Sequence, residues 1–292
     1  YMEAAYGLSI SITMFVTTLL LSIYLYKIKG DKLFAIIFLV FFGIEELLFL
    51  YANSLKFVNG GYITVIIALL IFTIMFIWYK GTEIKERESQ YLTVKNYTKQ
   101  LLQLSADKNV PKYATNLVYL TGAKREEDVD YAVLYSILNK QPKRANVYFF
   151  VHINVIDKPY KREYKVTKFS DKKILKITFN LGFRESQRVN MFMRQVIADL
   201  LENKELELQP TKYNLRGKAE TVGDFRFVLI EEVLGNSNGL SSFDNFIMGL
   251  RLKLKKITVT PEKWFGLDTS VITKEAVPLN VVQTKAKKLT RV

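Results

Sequence analysis

Three long apolar runs occupy the first quarter of the chain, and segments of alternating or helical period among many charges make up the rest. Ala4 to Tyr26 is apolar apart from Ser, Thr and Tyr, Lys32 to Ala52 is a second run, and Gly61 to Tyr79 a third. At about 1.5 Å per residue each is long enough to cross a hydrocarbon core of ~30 Å as a helix. Three such runs in series, joined by short polar linkers, predict three membrane spans over about 4–26, 32–52 and 61–79. In the first, Ala4, Gly7, Ser11, Thr18 and Ser22 fall on one stripe at steps of three, four or seven, the pattern that lets helices approach closely in lipid. The second is interrupted by adjacent carboxylates, Glu45 and Glu46. An ionisable side chain at a span centre costs roughly 2.5 to 3.5 kcal/mol by insertion scales, so the pair calls for a function or a partner.

After Lys80 the periods change. Ile84–Leu104 reads as a connecting helix leaving the membrane and residues 114–121 as a strand. Val129–Leu138 reads as a helix. In residues 146–155 both alternating faces are apolar, which predicts a central strand buried on two sides. Tyr164–Phe169 and Ile174–Leu181 read as strands joined by a turn at SDKK, and Val189–Glu202 and Phe243–Lys256 as helices. The order predicts a mixed α/β sandwich over residues 82–292, following a membrane α-helical part over 1–81.

Charge follows the same division. Residues 1–79 contain four basic and four acidic side chains, leaving 38 of the 42 basic and 24 of the 28 acidic residues, and the entire +14, to the remainder. The first short loop, KIKGDK, carries three lysines, the second, NSLKFVNGG, one, and Lys80, Lys85 and Arg87 follow the third run. The positive-inside rule then places the first loop and residues 82–292 in the cytoplasm. The chain has no cysteine, which excludes disulfides, thiolate metal sites and cysteine nucleophiles, and its single histidine, His152, argues against a His-rich metal centre. No catalytic constellation is present, so the chain is not read as an enzyme and no cofactor is called. The opening YMEAAYG has neither an initiator Met nor a basic n-region, and is expected to lie partway through a longer protein.

Several stretches are similar to one family. AAYGLSISITMFVTT (4–18) resembles a motif of the KUP/HAK/KT potassium-uptake transporters. IEELLFLYANSLKFVNGGYITVIIALLIFTIMFIWYKG (44–81) resembles that family's acidic–x–x–FF–x–AN stretch and its exit from the last span, with Tyr62 and Thr64 departing from the usual Trp and Pro. RANVYFFVHINVIDKPYKREYKV (144–166), ITFNLGFRESQRVN (177–190) and WFGLDTSVI (264–272) resemble blocks of its soluble part. The resemblance implies the last three spans of a twelve-span transporter of the amino acid–polyamine–organocation type, followed by a cytosolic domain in a cell-membrane protein. It implies uptake of K+ in symport with H+ and the remaining spans as partners; membrane lipids and a second copy of the chain, as a homodimer, are further expected partners. Glu46 matches the family's single acidic residue, with Glu45 extra. Glu46, Glu45, Asn53 and Tyr6 are the candidates for ion coupling or span packing. Potassium coordination is attributed mainly to the first half of the fold, so no metal ligand is assigned here.

In the basic domain Arg184 and Arg188 stand at helical spacing near a helix start, and Arg144 and Arg162 flank the strand holding His152. Two readings stay open: a surface meeting solvent or anionic lipid, and an anion site, since arginine grips phosphate bidentately. The resemblance implies cyclic di-AMP as the candidate regulator, and Arg144, Arg162, Arg184 and Arg188 with His152 are the candidate contacts; for His152 a core or sheet histidine is the favoured reading. Membrane tethering disfavours nucleic acid. The alternative for the whole is a three-span receptor or scaffold with a nucleotide-sensing domain and no transport.

Overall fold

A computed structural model describes residues 2–170, 172–207, 224–233 and 240–278. The chain divides into two compact units, Tyr1–Tyr79 and Lys80–Val292.

Helix α1 (Met2–Tyr24) continues through a π-helical turn, Leu25–Lys29, and stops at Gly30, whose φ of 82° is a left-handed conformation natural to glycine. Helix α2 (Lys32–Ser54) returns alongside α1, and a 3-10 turn at Phe57–Asn59 leads into α3, Gly61–Glu88. All three are long and apolar enough to cross a membrane. Their outward faces carry large aliphatic and aromatic side chains, whereas the α1–α2 contact is made by small and polar residues. That inverts a water-soluble bundle, as expected where the surroundings are hydrocarbon.

The second unit is built on a six-stranded sheet. Its strands are β2 (Lys112–Leu120), β4 (Arg144–Ile156), β5 (Arg162–Ser170), β6 (Ile174–Gly182), β7 (Phe225–Val233) and β8 (Val271–Pro278), in the spatial order β5-β6-β4-β2-β7-β8. Among the described residues of this sheet, only β5 runs antiparallel to its neighbour. A two-stranded sheet pairs β1 (Tyr91–Thr93) with β3 (Asp128–Asp130). The predicted two-sidedness of residues 146–155 is realised in β4. Val147, Phe149 and Val151 pack with Phe192, Val196 and Ile197 of α6 (Val189–Glu202). Tyr148 and Phe150 pack on the other side with Leu101 of α4 (Thr98–Ala106) and Val133 and Leu134 of α5 (Tyr131–Tyr135). Helices therefore cover both faces of a mostly parallel sheet, the arrangement that lets each strand bury both sides.

Two local expectations are corrected. Ile84–Leu104 is not one helix: α3 ends at Glu88, β1 follows, and a 3-10 turn at Val94–Tyr97 precedes α4. Pairing with β3 and burial of Val94 override the helical period there. Val129 belongs to β3, and the helix that follows is one short turn, α5, with a π-helical turn at Ser136–Lys140. Strands β7 and β8 were not anticipated.

Candidate functional site

The polar stripe of α1 meets the acidic position of α2. Ser11, Thr18, Ser22 and Glu46 are all buried. Thr18 Oγ1 donates to Glu46 Oε1 at 2.7 Å, while Glu46 Oε2 is buried without a hydrogen-bond partner among the described residues. Seven residues on, Asn53 Nδ2 donates to Ser11 Oγ at 2.7 Å, and Ser11 Oγ donates to Gly7 O at 2.9 Å. Seven residues are about two helical turns, so the two hydrogen-bonded levels stand ~10.5 Å apart along an antiparallel pair. A Cβ at Gly7 would lie 2.9 Å from Asn53 Oδ1, so only glycine admits the Asn53 amide this close. Thr64 Oγ1 of α3 donates to Ala5 O at 2.8 Å at the same end.

This seam offers one chemistry clearly. A buried carboxyl with one oxygen held by a hydroxyl and the other without a hydrogen-bond partner among the described residues can carry a proton or contribute an oxygen ligand to a cation. Its neighbour does not share the seam. Glu45 lies about 100° round the helix, exposed, beside an apolar face made of Ile36, Ile37, Val40, Phe41, Ile44 and Leu48. Tyr6 is also exposed, turned away from the seam. Of the four membrane candidates the fold sets Glu46 and Asn53 on one seam, two turns apart, and leaves Glu45 and Tyr6 outside.

In the second unit the arginines divide. Arg144 opens β4, where its Nη1 donates to Val110 O at 3.1 Å. Arg162, Arg184 and Arg188 gather at the opposite edge, beyond the carboxyl ends of β4 and β6. Thirteen residues of extended strand separate the edges by roughly 40 Å, so Arg144 does not share a site with the others. Arg162 is ion-paired with Glu185 at 2.7 Å. Arg184 Nη1 donates to Tyr160 OH at 3.0 Å and its guanidinium lies over that ring. Arg188 is the residue before α6, and a Cβ at Gly266, where φ is 60°, would approach its Cα to 3.2 Å. His152 is buried in β4 with Nδ1 3.0 Å from Thr121 O, and desolvation lowers its pKa below the usual value.

Two buried cations were missed by the sequence reading. Lys176 of β6 sends its three ammonium donors to Ala123 O, Arg125 O and Asp128 O at 3.0, 2.5 and 2.6 Å, tying down the loop after β2. Burial brings its pKa down to about 8. Strand parity carried a signal, since Lys176 shares an inward side with Ile174. Lys143 is wholly buried, 3.0 Å from Glu275 Oε1, and donates to Ser136 O at 2.6 Å. Ser136 Oγ in turn bridges Glu275 and Tyr119 OH.

Residues 1–83 match the model of the K+ potassium transporter integral membrane domain, and residues 114–282 that of the K+ potassium transporter C-terminal domain. The chain is 46% identical over 291 residues to a protein of Clostridium perfringens named probable potassium transport system protein Kup, covering all of this chain and 44% of that relative. A protein of the same name from Cytophaga hutchinsonii is 42% identical, with the same coverage of both chains. Another from Enterococcus faecalis is 44% identical over 96% of this chain and 42% of its own length. The chain spans less than half the length of these curated relatives.

Proposed function

We propose a function from one premise: the chain belongs to the K+ potassium transporter family, through both its membrane and its C-terminal parts. The whole protein takes up potassium across the cell membrane, coupled to protons. This chain supplies the last three spans of a bundle with inverted repeats of the amino acid–polyamine–organocation type, working by alternating access. Residues 82–292 face the cytoplasm as a regulatory domain. The observation that carries the coupling reading is Glu46 itself: nine-tenths buried at a span interior, one oxygen on Thr18 and the other buried without a hydrogen-bond partner among the described residues. A carboxyl so placed is costly to keep charged unless a cation or proton visits it.

The test is potassium uptake by the full-length protein in a potassium-auxotrophic cell, with and without an imposed proton gradient. Glu46→Gln keeps the shape and the Thr18 contact but replaces the second carboxyl oxygen with an amide nitrogen, and uptake is expected to fall at least tenfold at equal surface expression. Glu45→Gln, outside the seam, is expected to leave most uptake in place. Uptake by Glu46→Gln equal to the unsubstituted protein would restrict Glu46 to helix packing.

Regulation is read at the carboxyl edge of the sheet. There Arg162, Arg184 and Arg188 supply cations for the phosphates of cyclic di-AMP, with His152 further back on β4; Arg144 stands apart. The ligand acts as an inhibitor, on a protein that assembles as a homodimer. Calorimetric titration of the purified chain with cyclic di-AMP is expected to show saturable micromolar binding, about −8 kcal/mol. Arg184→Ala is expected to weaken it at least tenfold while Arg144→Ala does not. Absence of heat, or equal loss from Arg144→Ala, would remove this site.

A further inference from the structure

Helix α7 (Ser242–Ile257) is amphipathic on both sides. Ser241 caps it by accepting from Asp244 N at 3.1 Å, and Ile247 and Met248 face inward and are buried. The neighbouring stripe, which turns outward, is also apolar. Phe243, Phe246 and Ile257 are 58%, 62% and 84% exposed, and with Leu250 they follow one another at steps of three, four and seven. At 100° per residue these four lie within an arc of about 60°, Lys253 falls ~20° beyond one margin, and Lys256 lies further round on that same side. The helix carries four basic residues and a single acid, Asp244, which is ion-paired with Arg87 at 2.7 Å.

The position along the chain adds a second observation. Arg87 belongs to the last turns of α3, and the Arg251 side chain of α7 fills the space a Cβ would occupy at Gly81. Gly81 follows Tyr79, the last residue of the membrane unit, by two positions, so its Cα lies within about 8 Å of that of Tyr79. Contacts at both Gly81 and Arg87 thus hold α7 against the segment that leaves the third span.

We propose that the outward stripe of α7 is a docking surface for an anionic lipid bilayer, into whose headgroup region Phe243, Phe246, Leu250 and Ile257 insert while Lys253 and Lys256 meet lipid phosphates. Aromatic and aliphatic side chains bordered by lysine are what an interfacial helix presents to such a surface. Water alone is a poor match for three large apolar side chains on one stripe of a soluble unit. A second copy of α7 would bring the lysines of two stripes together, a like-charge contact that opposes self-pairing. The inference does not depend on the coupling or nucleotide readings; it needs only the third span in a membrane.

The absence of cysteine makes the test direct. The full chain is reconstituted in vesicles of phosphatidylcholine with phosphatidylglycerol, or of phosphatidylcholine alone, with a nitroxide at Phe246→Cys or Ile257→Cys. In the anionic vesicles both labels are expected to be more accessible to oxygen than to a water-soluble nickel chelate. That preference should be lost in phosphatidylcholine alone and on adding Lys253→Glu with Lys256→Glu. In the unsubstituted chain, hydrogen exchange over residues 242–257 should slow several-fold in the anionic vesicles. Nickel accessibility that dominates in the anionic vesicles overturns the proposal, as does exchange equal in both lipids. A label shielded from both reagents in both lipids also overturns it, because a protein surface then covers the stripe.

Discussion

Burial of His152 lowers its pKa below 6.5, because the imidazolium is poorly solvated inside the sheet while neutral imidazole can still donate Nδ1–H to Thr121 O. The unfolded chain then binds a proton more readily than the folded one, so the contribution is fully present above pH 6.5 and is lost as pH falls through the lower folded value. The difference in melting temperature between the unsubstituted chain and His152→Gln should therefore shrink on acidification below pH 6.5 and stay level above pH 7. A difference that does not change with pH would mean that His152 is not kept neutral by the fold. The same reasoning by environment separates Glu46 from Glu45. They are adjacent in sequence, yet one turns to Thr18 and the other to an apolar face.

Strand β8 is held to the sheet by more than its ladder. Glu275 lies between Lys143 and Ser136, and Lys140 Nζ donates to Ala276 O at 2.8 Å, so the turn before β4 grips the edge strand. Removing one partner of a buried pair strands the other charge, at a cost of about 3–5 kcal/mol, whereas replacing both by apolar side chains of similar volume costs far less. Lys143→Met should thus lower the melting temperature of the second unit sharply, and Lys143→Met with Glu275→Met should recover most of the loss. An additive double variant would show that the pair is not coupled. None of this was legible from the sequence. Lys143 and Glu275 are 132 positions apart, and each by itself reads as a surface charge. The core of β4 was legible, because alternation within ten residues states which sides are apolar.

At the scale of the molecule, the lysines of the first short loop and Lys80, Lys85 and Arg87 after the third run carry the expectation that both segments lie on the cytoplasmic side. Single substitutions Lys29→Cys and Ser89→Cys should resist an impermeant thiol reagent applied outside intact cells, and Val58→Cys, between α2 and α3, should react. Labelling at Ser89→Cys from outside would reverse the orientation and with it the cytoplasmic reading of residues 82–292. The amino-acid sequence by itself determined the three apolar helices, the small and hydroxyl stripe of α1 and the two-sided strand β4. Each is a periodicity carried by near neighbours, and backbone geometry converts spacing directly into a face. Only the tertiary structure decided which polar groups meet. It set Thr18 against Glu46 and Ser11 against Asn53, buried Lys143 and Lys176 among distant partners, and split β1 from what read as a helix. It also placed Arg144 a strand's length from Arg162, Arg184 and Arg188. Those outcomes depend on strand order and on contacts between residues far apart in the chain, where local spacing holds no information, and where the cost of desolvating a charge is set by whichever segment arrives to cover it.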